Sequence, residues 1–294
     1  MIADSRYAYA ASAAAAGDHA AAADLFAQSL ERAPDFAHAA FGLAVACGQL
    51  GRREEACAAF ALAVVLAPAD ELGASLHLAR LQGTGAPPAP PPAYVAALFD
   101  EYAPSFDTHL TQALGYDGPQ VLLAAVVRLS ARRFAVLLDL GCGTGLAAAA
   151  FEALTDVRAG VDVSAGMVAQ ARAKGLYDRL AVGDAVDFLA AEPEAGADLV
   201  LAADVLPYVG ELGGMMRAAA RVLRPDGLFA FTAQLGQAGV ELGSDLRYAH
   251  SPAYLAGAAY AAGLRIMSLE MASVRRDRGI PVPGLAAVLA KQDR

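Results

Sequence analysis

The chain is poor in cysteine, short of basic residues relative to acidic ones, and free of long apolar runs. Its three cysteines are widely spaced and no histidine cluster flanks them, so neither a disulfide framework nor a zinc site is indicated and no metal is expected. The formal net charge of −9 argues against nucleic acid as a partner, because binding a phosphate backbone depends on clustered Lys and Arg. No stretch reaches the roughly 18 uninterrupted apolar residues that cross a bilayer. We therefore expect a cytoplasmic protein that binds neither nucleic acid nor a membrane.

Alanine supplies much of the 57% hydrophobic content of these 294 residues, which favours a helix-rich protein of two domains. The N-terminal part repeats with a period of 34 residues. This period, with small residues, an aromatic residue and a closing proline at fixed places, resembles the tetratricopeptide repeat family. The resemblance implies two repeats over residues 3–68 and a capping helix over Glu71–Leu81, whereas the alternative is two unrelated helical hairpins. The matching pairs are Gly17 and Gly51, Ala22 and Ala56, Phe26 and Phe60, and Pro34 and Pro68.

A proline-rich run, residues 83–92, separates this region from the rest of the chain. Its prolines permit neither a helix nor a central strand, and they favour an extended, semi-rigid spacer. We therefore predict a tetratricopeptide-like helical domain over residues 1–83, a linker over residues 84–92 and a second domain over residues 93–294.

The second domain contains a glycine turn after an apolar strand, Val136–Leu140, that carries Asp139 near its end. Glycine lets the backbone turn sharply and approach a ligand, and the helix that follows offers unpaired N–H groups. A dinucleotide fingerprint would need its third glycine at the position of Leu146, so the sequence argues against NAD. An acidic residue before Gly-x-Gly-x-Gly resembles motif I of the class I S-adenosylmethionine (SAM) methyltransferases. The resemblance implies that Asp139 helps to hold the ammonium of SAM and that the cofactor lies against Gly141, Gly143 and Gly145.

Further strands follow at intervals that leave room for helices, which predicts a parallel sheet with helices on both faces. The resemblance implies a Rossmann-like α/β fold with the seven-stranded sheet of class I methyltransferases. Asp162 ends the second strand, 21 positions after Gly141, where a carboxylate can accept both ribose hydroxyls of an adenosine. Asp184 follows the third strand and, in the resembled family, accepts from the adenine amino group. Each Asp could instead be a helix cap or a solvated loop residue. The other expected cofactor contacts are Val163, Met167, Ala185 and Ala203.

Residues 93–118 place aromatic residues at positions 99, 102 and 106, on one helical face apart from a break near Pro104. Core packing is one explanation for that spacing. The sequences Phe-Asp-Glu-Tyr-Ala and Phe-Asp-Thr-His-Leu also resemble a segment of bacterial tetratricopeptide-containing methyltransferases. That resemblance implies a lid over residues 93–118, in which Tyr102 or Phe106 contacts SAM.

The methyl acceptor should lie at the carboxyl ends of the strands, beside the cofactor. Asp204 follows the fourth strand and is expected either to line the acceptor site or to cap a helix over Leu212–Leu223. The loop after the fifth strand carries Arg247, Tyr248 and His250. Arginine offers paired donors suited to carboxylates, so Arg247 and one of Arg275, Arg276 and Arg278 are candidates to bind an acidic acceptor.

Other roles are expected near the acceptor. His250 could take a proton, because imidazole titrates near neutral pH, and Tyr208 and Tyr248 could orient the acceptor. Pro207 departs from relatives that often have a polar residue such as His before the Tyr. The alternative for the three arginines is a solvated hairpin tip.

These observations predict a SAM-dependent methyltransferase that acts on a small acidic molecule and needs no metal. The alternative gives the main role to the helical repeats, which would bind a peptide or protein that the Rossmann-like domain methylates, or would serve a domain that senses SAM. The helical domain is also a possible site of self-association.

Overall fold

A computed structural model of the chain describes residues 2–110, 115–277 and 279–292. The chain divides into two units, residues 1–94 and residues 95–294. No described helix is both long and apolar enough to span a membrane.

The first unit consists of helices and turns in its described part. Small residues form most of its core, and Phe26 and Phe60, which share one position of the 34-residue period, are both buried in it. A Cβ atom on Gly42 would lie 2.5 Å from the Phe26 ring, so this glycine allows two helices to approach closely. The helices are α1 (Ile2–Ala15), α2 (His19–Arg32), α3 (Ala37–Gln49), α4 (Arg53–Leu66) and α5 (Ala74–Gln82).

Polar caps fix two of these helix starts. The Asp18 carboxylate accepts from the backbone N–H of Ala21 at the start of α2. The buried carboxylate of Asp70 accepts from the N–H groups of Ala74, at 2.7 Å, and Ser75, at 2.9 Å, where α5 begins. The predicted capping helix thus begins at Ala74, three residues later than expected, because Asp70 and the left-handed Gly73 end the preceding turn.

The second unit is built on a mixed sheet. The strands of its main path are β1 (Phe134–Leu140), β2 (Thr155–Asp162), β3 (Arg179–Val182), β4 (Ala197–Ala202), β5 (Leu223–Leu235), β8 (Leu264–Ala272) and β11 (Gly284–Lys291). They lie in the order β3, β2, β1, β4, β5, β11, β8, with neighbours parallel from β3 to β5 and β11 antiparallel to both β5 and β8.

The sheet has nine strands in the described ranges, so the predicted number of seven is wrong. Two short strands, β6 (Val240–Leu242) and β7 (Tyr248–His250), form an antiparallel pair in the loop after β5. β7 also pairs in parallel with the end of β5 at Gln234 and Leu235, which adds the pair to the sheet. A separate hairpin joins β9 (Arg276–Asp277) to β10 (Ile280–Pro281).

Helices cover both faces of the sheet. Alternation along β1 sends Leu138 and Leu140 into one buried cluster and Leu137 into another on the opposite face. Residues 224–227 lie inside β5 and interrupt its pairing with β4, which passes from Leu223 directly to Leu228. The helices are α6 (Pro92–Tyr102), α7 (Phe106–Thr108), α8 (Gly118–Leu129), α9 (Leu146–Phe151), α10 (Ala165–Lys174), α11 (Ala185–Ala191), α12 (Gly213–Val222) and α13 (Pro252–Ala261).

Candidate active site

The glycine turn connects β1 to α9. Gly141, Gly143 and Gly145 have φ angles of 58°, 53° and 94°, all in the left-handed region that glycine adopts without a steric penalty. A Cβ atom on Gly141 would lie 2.5 Å from Val205, whereas the nearest atom to one on Gly143 is 3.8 Å away, in the Phe106 ring. Glycine at position 141 therefore avoids a clash with Val205, whereas Gly143 leaves open space beside the Phe106 ring.

Asp139 lies under this turn and is 1% exposed. Its Oδ2 accepts a 2.6 Å hydrogen bond from the Tyr177 hydroxyl, while Oδ1 has no partner within the described ranges. Burial raises the pKa of Asp139 to about 7, although the Tyr177 hydrogen bond opposes that rise. A buried carboxylate oxygen without a partner fits a cationic group, such as the ammonium of SAM.

Asp162 ends β2 beside the same turn. Its Oδ2 accepts from the N–H of Gly143 and its Oδ1 from the N–H of Ser164, each at 2.9 Å. Burial raises the pKa of this carboxyl. Next to it, Met167 is fully buried at the start of α10 and Val163 is half-buried.

Asp184 is exposed and caps α11. Its Oδ1 accepts from the N–H groups of Val186, at 2.7 Å, and Asp187, at 3.1 Å. Asp184 is thus a helix cap, as one of the two sequence interpretations expected. The cap uses only Oδ1, and Oδ2 has no partner in the part of the chain that the structure describes. Ala185, which follows, is half-buried, as is Ala203 at the end of β4.

Aromatic rings of α6 and α7 pack edge to face near the glycine turn. The centroid of Phe106 lies 5.1 Å from that of Tyr102 and 6.3 Å from that of Phe99, and Phe99 lies 5.0 Å from Tyr208. Of the predicted lid, residues 111–114 lie outside the described residues.

Two carboxylates that sequence reasoning left without a role fasten this segment. Asp100 Oδ1 accepts from the Ser164 hydroxyl at 2.6 Å and from the N–H of Gly166 at 2.8 Å. Asp107 accepts from the Thr144 hydroxyl and from Lys174 Nζ, the latter at 2.6 Å. The signal was the Phe-Asp pair, which occurs at Phe99-Asp100 and again at Phe106-Asp107.

Asp204 lies just after β4 with a left-handed φ of 59°, and its N–H donates to the Thr232 hydroxyl at 2.8 Å. Burial raises the pKa of its carboxyl to about 6, against the pull of the Arg247 charge. The expectation that Asp204 caps α12 is wrong, since Leu212 precedes that helix and no side chain caps it.

Two arginines flank Asp204. Arg275 is 6% exposed, its Nη1 lies 3.8 Å from Asp204 Oδ2 and its Nη2 donates to Gln234 at 3.2 Å. Arg247 donates from Nε to the Tyr208 hydroxyl at 3.1 Å, and its guanidinium carbon lies 5.7 Å from the centroid of that ring. For Arg275, the alternative of a solvated hairpin tip is wrong because the side chain is buried. Arg276 pairs through its backbone with Pro281, but its side chain and Arg278 lie outside the described residues.

Tyr248 and His250 on β7 are fully buried. His250 Nε2 lies 3.0 Å from the carbonyl oxygen of Gly210, so we assign the proton to Nε2, which then donates. Neither His250 Nδ1 nor the Tyr248 hydroxyl has a partner among the residues described. Burial lowers the pKa of His250 and raises that of Tyr248 to about 12. The base role of His250 stays a prediction. The structure places its ring where solvent does not reach it.

Tyr116 is a further residue that sequence reasoning missed. The charges of Asp204 and Asp139 add to burial in raising the pKa of its phenol well above the usual value, so the ring lies near both ends of the site. Its N–H donates to the carbonyl oxygen of Leu110, and the N–H of Asp117 donates to that of Val274. No sequence motif marked this position. Across the described ranges, no group of three or more His, Cys, Asp or Glu side chains could hold a metal ion.

Comparison with known proteins decides the family. A family model described as a methyltransferase domain matches residues 138–231, which span β1 to β5. The human methyltransferase-like protein 27 is 30% identical over 176 residues, which cover 59% of this chain and 71% of that protein. The chain belongs to the class I SAM-dependent methyltransferases. SAM is therefore the cofactor of this methyltransferase, and the unpartnered oxygen of Asp139 and the open space at Gly143 fit it.

Two further proteins are similar to this methyltransferase. The malonyl-(acyl-carrier protein) O-methyltransferase of Enterobacter lignolyticus is 34% identical over 140 residues, which cover 47% of this chain and about half, 52%, of that protein. The 1,6-didemethyltoxoflavin-N1-methyltransferase of Burkholderia thailandensis has a TM-score of 0.55 at 22% identity, covering 71% of this chain and 93% of that one. Its structure contains bound S-adenosylhomocysteine, and the likeness to it shows the fold.

Proposed function

We propose that this methyltransferase transfers the methyl group of SAM to a small acidic molecule that Arg247 and Arg275 bind. The observation that carries the proposal is the pair of arginines on either side of Asp204. Arg275 lies 3.8 Å from Asp204, and the charges of both Asp204 and Asp245 act on Arg247. Burial makes a guanidinium costly unless an anion contacts it closely, so an acceptor carboxylate would stabilise this pair. Within the described ranges the Arg247 side chain makes a hydrogen bond only through Nε, while its backbone N–H donates to Asp245, so both Nη groups are available to an acceptor carboxylate.

The proposed cofactor position follows the glycine turn. Asp139 would hold the ammonium, Asp162 the ribose hydroxyls and Asp184 the adenine amino group, and the aromatic rings of α6 and α7 would cover the site. The remaining proposed contacts are Tyr102, Phe106, Gly141, Gly143, Gly145, Val163, Met167, Ala185 and Ala203.

The reaction is an in-line displacement. A lone pair of the acceptor attacks the methyl carbon of SAM, the carbon–sulfur bond breaks with its electrons passing to sulfur, and S-adenosylhomocysteine leaves. Positioning of the acceptor supplies much of the rate. An acceptor carboxylate or other anion has already lost its proton, whereas a neutral acceptor would pass one to His250 or to water, with Tyr208 and Tyr248 orienting it.

One relative supports an acidic acceptor. By its name it methylates an oxygen of a malonyl-(acyl-carrier protein), and a malonyl group carries a carboxylate. We include in the proposal a tetratricopeptide-type N-terminal unit able to associate with a protein or with itself, and a cytoplasmic location. The alternative, in which the helical unit presents a peptide to a SAM-sensing domain, has no specific observation in its favour.

A substrate screen tests the proposal. The full chain is incubated with methyl-labelled SAM and a panel of small carboxylic acids, each paired with its neutral amide, and labelled products are identified by mass spectrometry. We expect turnover of acids over their amides, and a KM for the acid that rises at least tenfold in Arg247→Gln or Arg275→Gln while SAM affinity stays within twofold. Arg128→Gln is the control, because Arg128 is an exposed arginine whose partner is Glu270. Equal turnover of amides, unaffected by either substitution, would overturn the acidic acceptor.

A further inference from the structure

Tyr177 occupies a fixed place behind the glycine turn. It lies between α10 and β3, and its ring packs where two glycines leave room. A Cβ atom would lie 2.8 Å from this ring if built on Gly160 and 3.1 Å if built on Gly145. Both values are too short for an unstrained contact, so glycine at these positions lets the phenol come close to Asp139.

The two carboxylate oxygens of Asp139 differ in their hydrogen bonding. Oδ2 accepts the 2.6 Å hydrogen bond from the Tyr177 hydroxyl, and Oδ1 has no partner in the ranges that the structure describes. A carboxylate with 1% exposure cannot turn to water to satisfy that oxygen. It needs a proton or a cation there, because a buried, unpaired anionic oxygen is costly.

The titratable groups that face Asp139 do not supply a cation. They are Tyr177 from the turn before β3, Asp162 from the end of β2, Cys142 from the glycine turn and Tyr116 from the segment before α8. Asp162 alone among them is a carboxylic acid, burial raises the pKa of Cys142 and of both tyrosines above their ordinary values, and none of the four carries a positive charge. The ammonium of SAM is the cation that the fold brings to this oxygen.

We propose that Tyr177 is a positioning residue that turns Oδ1 of Asp139 toward the cofactor ammonium, and that cofactor binding displaces a proton from this carboxyl. The inference rests on SAM as the cofactor and does not depend on an acidic acceptor. Burial brings the pKa of Asp139 to about 7 while the Tyr177 bond lowers it, so the phenol also keeps part of the carboxyl ionised at neutral pH. Below about pH 7 the Asp139 carboxyl is mostly protonated, so the ammonium must displace its proton. Above about pH 7 the carboxyl is already ionised and binds the ammonium without releasing a proton.

The test is calorimetry of S-adenosylhomocysteine binding to the full chain between pH 5.5 and 8.5, in buffers of different ionisation enthalpy. For the wild type we expect proton release on binding below about pH 7, and an affinity that falls toward tenfold per pH unit. Tyr177→Phe keeps the ring and removes the donor. The affinity of this variant for S-adenosylhomocysteine should fall about tenfold at pH 7 but approach the wild-type value at pH 8.5. The reason is that loss of the Tyr177 hydrogen bond raises the pKa of Asp139, so the carboxyl ionises at higher pH.

Two further variants distinguish an effect on the ionisation of Asp139 from an effect on packing. Asp139→Asn retains the other titrating groups, Asp204 and His250 included, and should bind weakly with no proton release from this site. Tyr260→Phe removes a hydroxyl from a tyrosine that is 76% exposed and should reproduce the wild-type profile. An equal loss of affinity at every pH in Tyr177→Phe, or wild-type binding without proton release, would overturn the proposal. Near-ultraviolet circular dichroism establishes that each variant is folded.

Discussion

The backbone N–H of Gly143 donates a 2.9 Å hydrogen bond to Oδ2 of Asp162. This bond joins the glycine turn after β1 to the carboxyl end of β2, and a second bond, from the N–H of Ser164 to Oδ1, ties the start of α10 to the same carboxylate. One side chain thus fixes the two backbone segments that would receive the methionine and ribose parts of SAM.

We expect Asp162→Ala to weaken S-adenosylhomocysteine binding by about 1–3 kcal/mol, because ribose hydroxyls lose a charged acceptor and the glycine turn loses its tie. Calorimetry measures the change. Asp184→Ala is the comparison, since its carboxylate is exposed and caps a helix, and it should cost less. Unchanged affinity in a folded Asp162→Ala protein would remove this residue from the cofactor site.

Gly143→Val should abolish cofactor binding and leave the protein folded. The new side chain would project into the space below Phe106, where the nearest atom to a Cβ is 3.8 Å away, at a left-handed backbone position. Gly263→Val is the matched control, because it also has a positive φ, 75°, and has open space around it. Each should lose about 1–2 kcal/mol of stability from backbone strain. If Gly143→Val bound S-adenosylhomocysteine as Gly263→Val does, the turn would serve the fold alone.

Patterns with a clear period predicted most of the sheet. The apolar runs before Asp139 and Asp162 predicted two strands whose ends match the structure within about two residues. The strands β6 and β7 were missed because three residues carry no usable alternation. Their pairing depends on contact with the end of β5, which lies outside any local window. That pairing also buries His250, which its residue type alone marked as a candidate base.

The candidate site also contains some features that local sequence predicted and others that depend on contacts between distant residues. Arginine at 247 and 275 could be recognised as a candidate anion ligand from residue type and loop position. The hydrogen bond from Tyr177 to Asp139 could not, because 38 residues separate the partners and only the packing of two glycines brings them together. A helix cap by Asp184 and a cofactor contact are equally consistent with the local sequence, and the structure shows the cap.

Asp100→Ala should release the segment formed by α6 and α7. It removes the acceptor for the Ser164 hydroxyl and the Gly166 N–H, and two hydrogen bonds to a charged group are worth a few kcal/mol at most. We expect S-adenosylhomocysteine to dissociate roughly tenfold faster, measured by surface plasmon resonance. Glu101→Ala is the control, since the neighbouring carboxylate is exposed. Identical dissociation rates would show that this segment does not close over the cofactor.

Asp139→Asn should stabilise the cofactor-free protein at high pH. The carboxyl has a pKa of about 7 in the fold against an ordinary value of 3.8, so the fold binds its proton more tightly than the unfolded chain does. The stability that this group contributes is fully present below about pH 4 and is lost as pH rises through about 7. Relative to wild type, the variant should gain roughly 2–4 kcal/mol in free energy of unfolding between pH 4 and pH 8. Urea titrations at both pH values measure it, and a difference independent of pH would contradict it.

The position of β11 has a consequence for how the chain folds during synthesis. β11 lies between β5 and β8 in the sheet but follows β8 in the sequence. When β8 leaves the ribosome, the strand that must separate it from β5 is still inside the ribosome, so both remain unpaired along the edges that β11 later joins. Seven register pairs to β5 and eight to β8 then form when residues 284–291 emerge. A chain held with residues 264–272 outside the ribosome and residues 284–291 still inside it would therefore present two open strand edges to other nascent chains, and a chaperone that covers them would act in that interval.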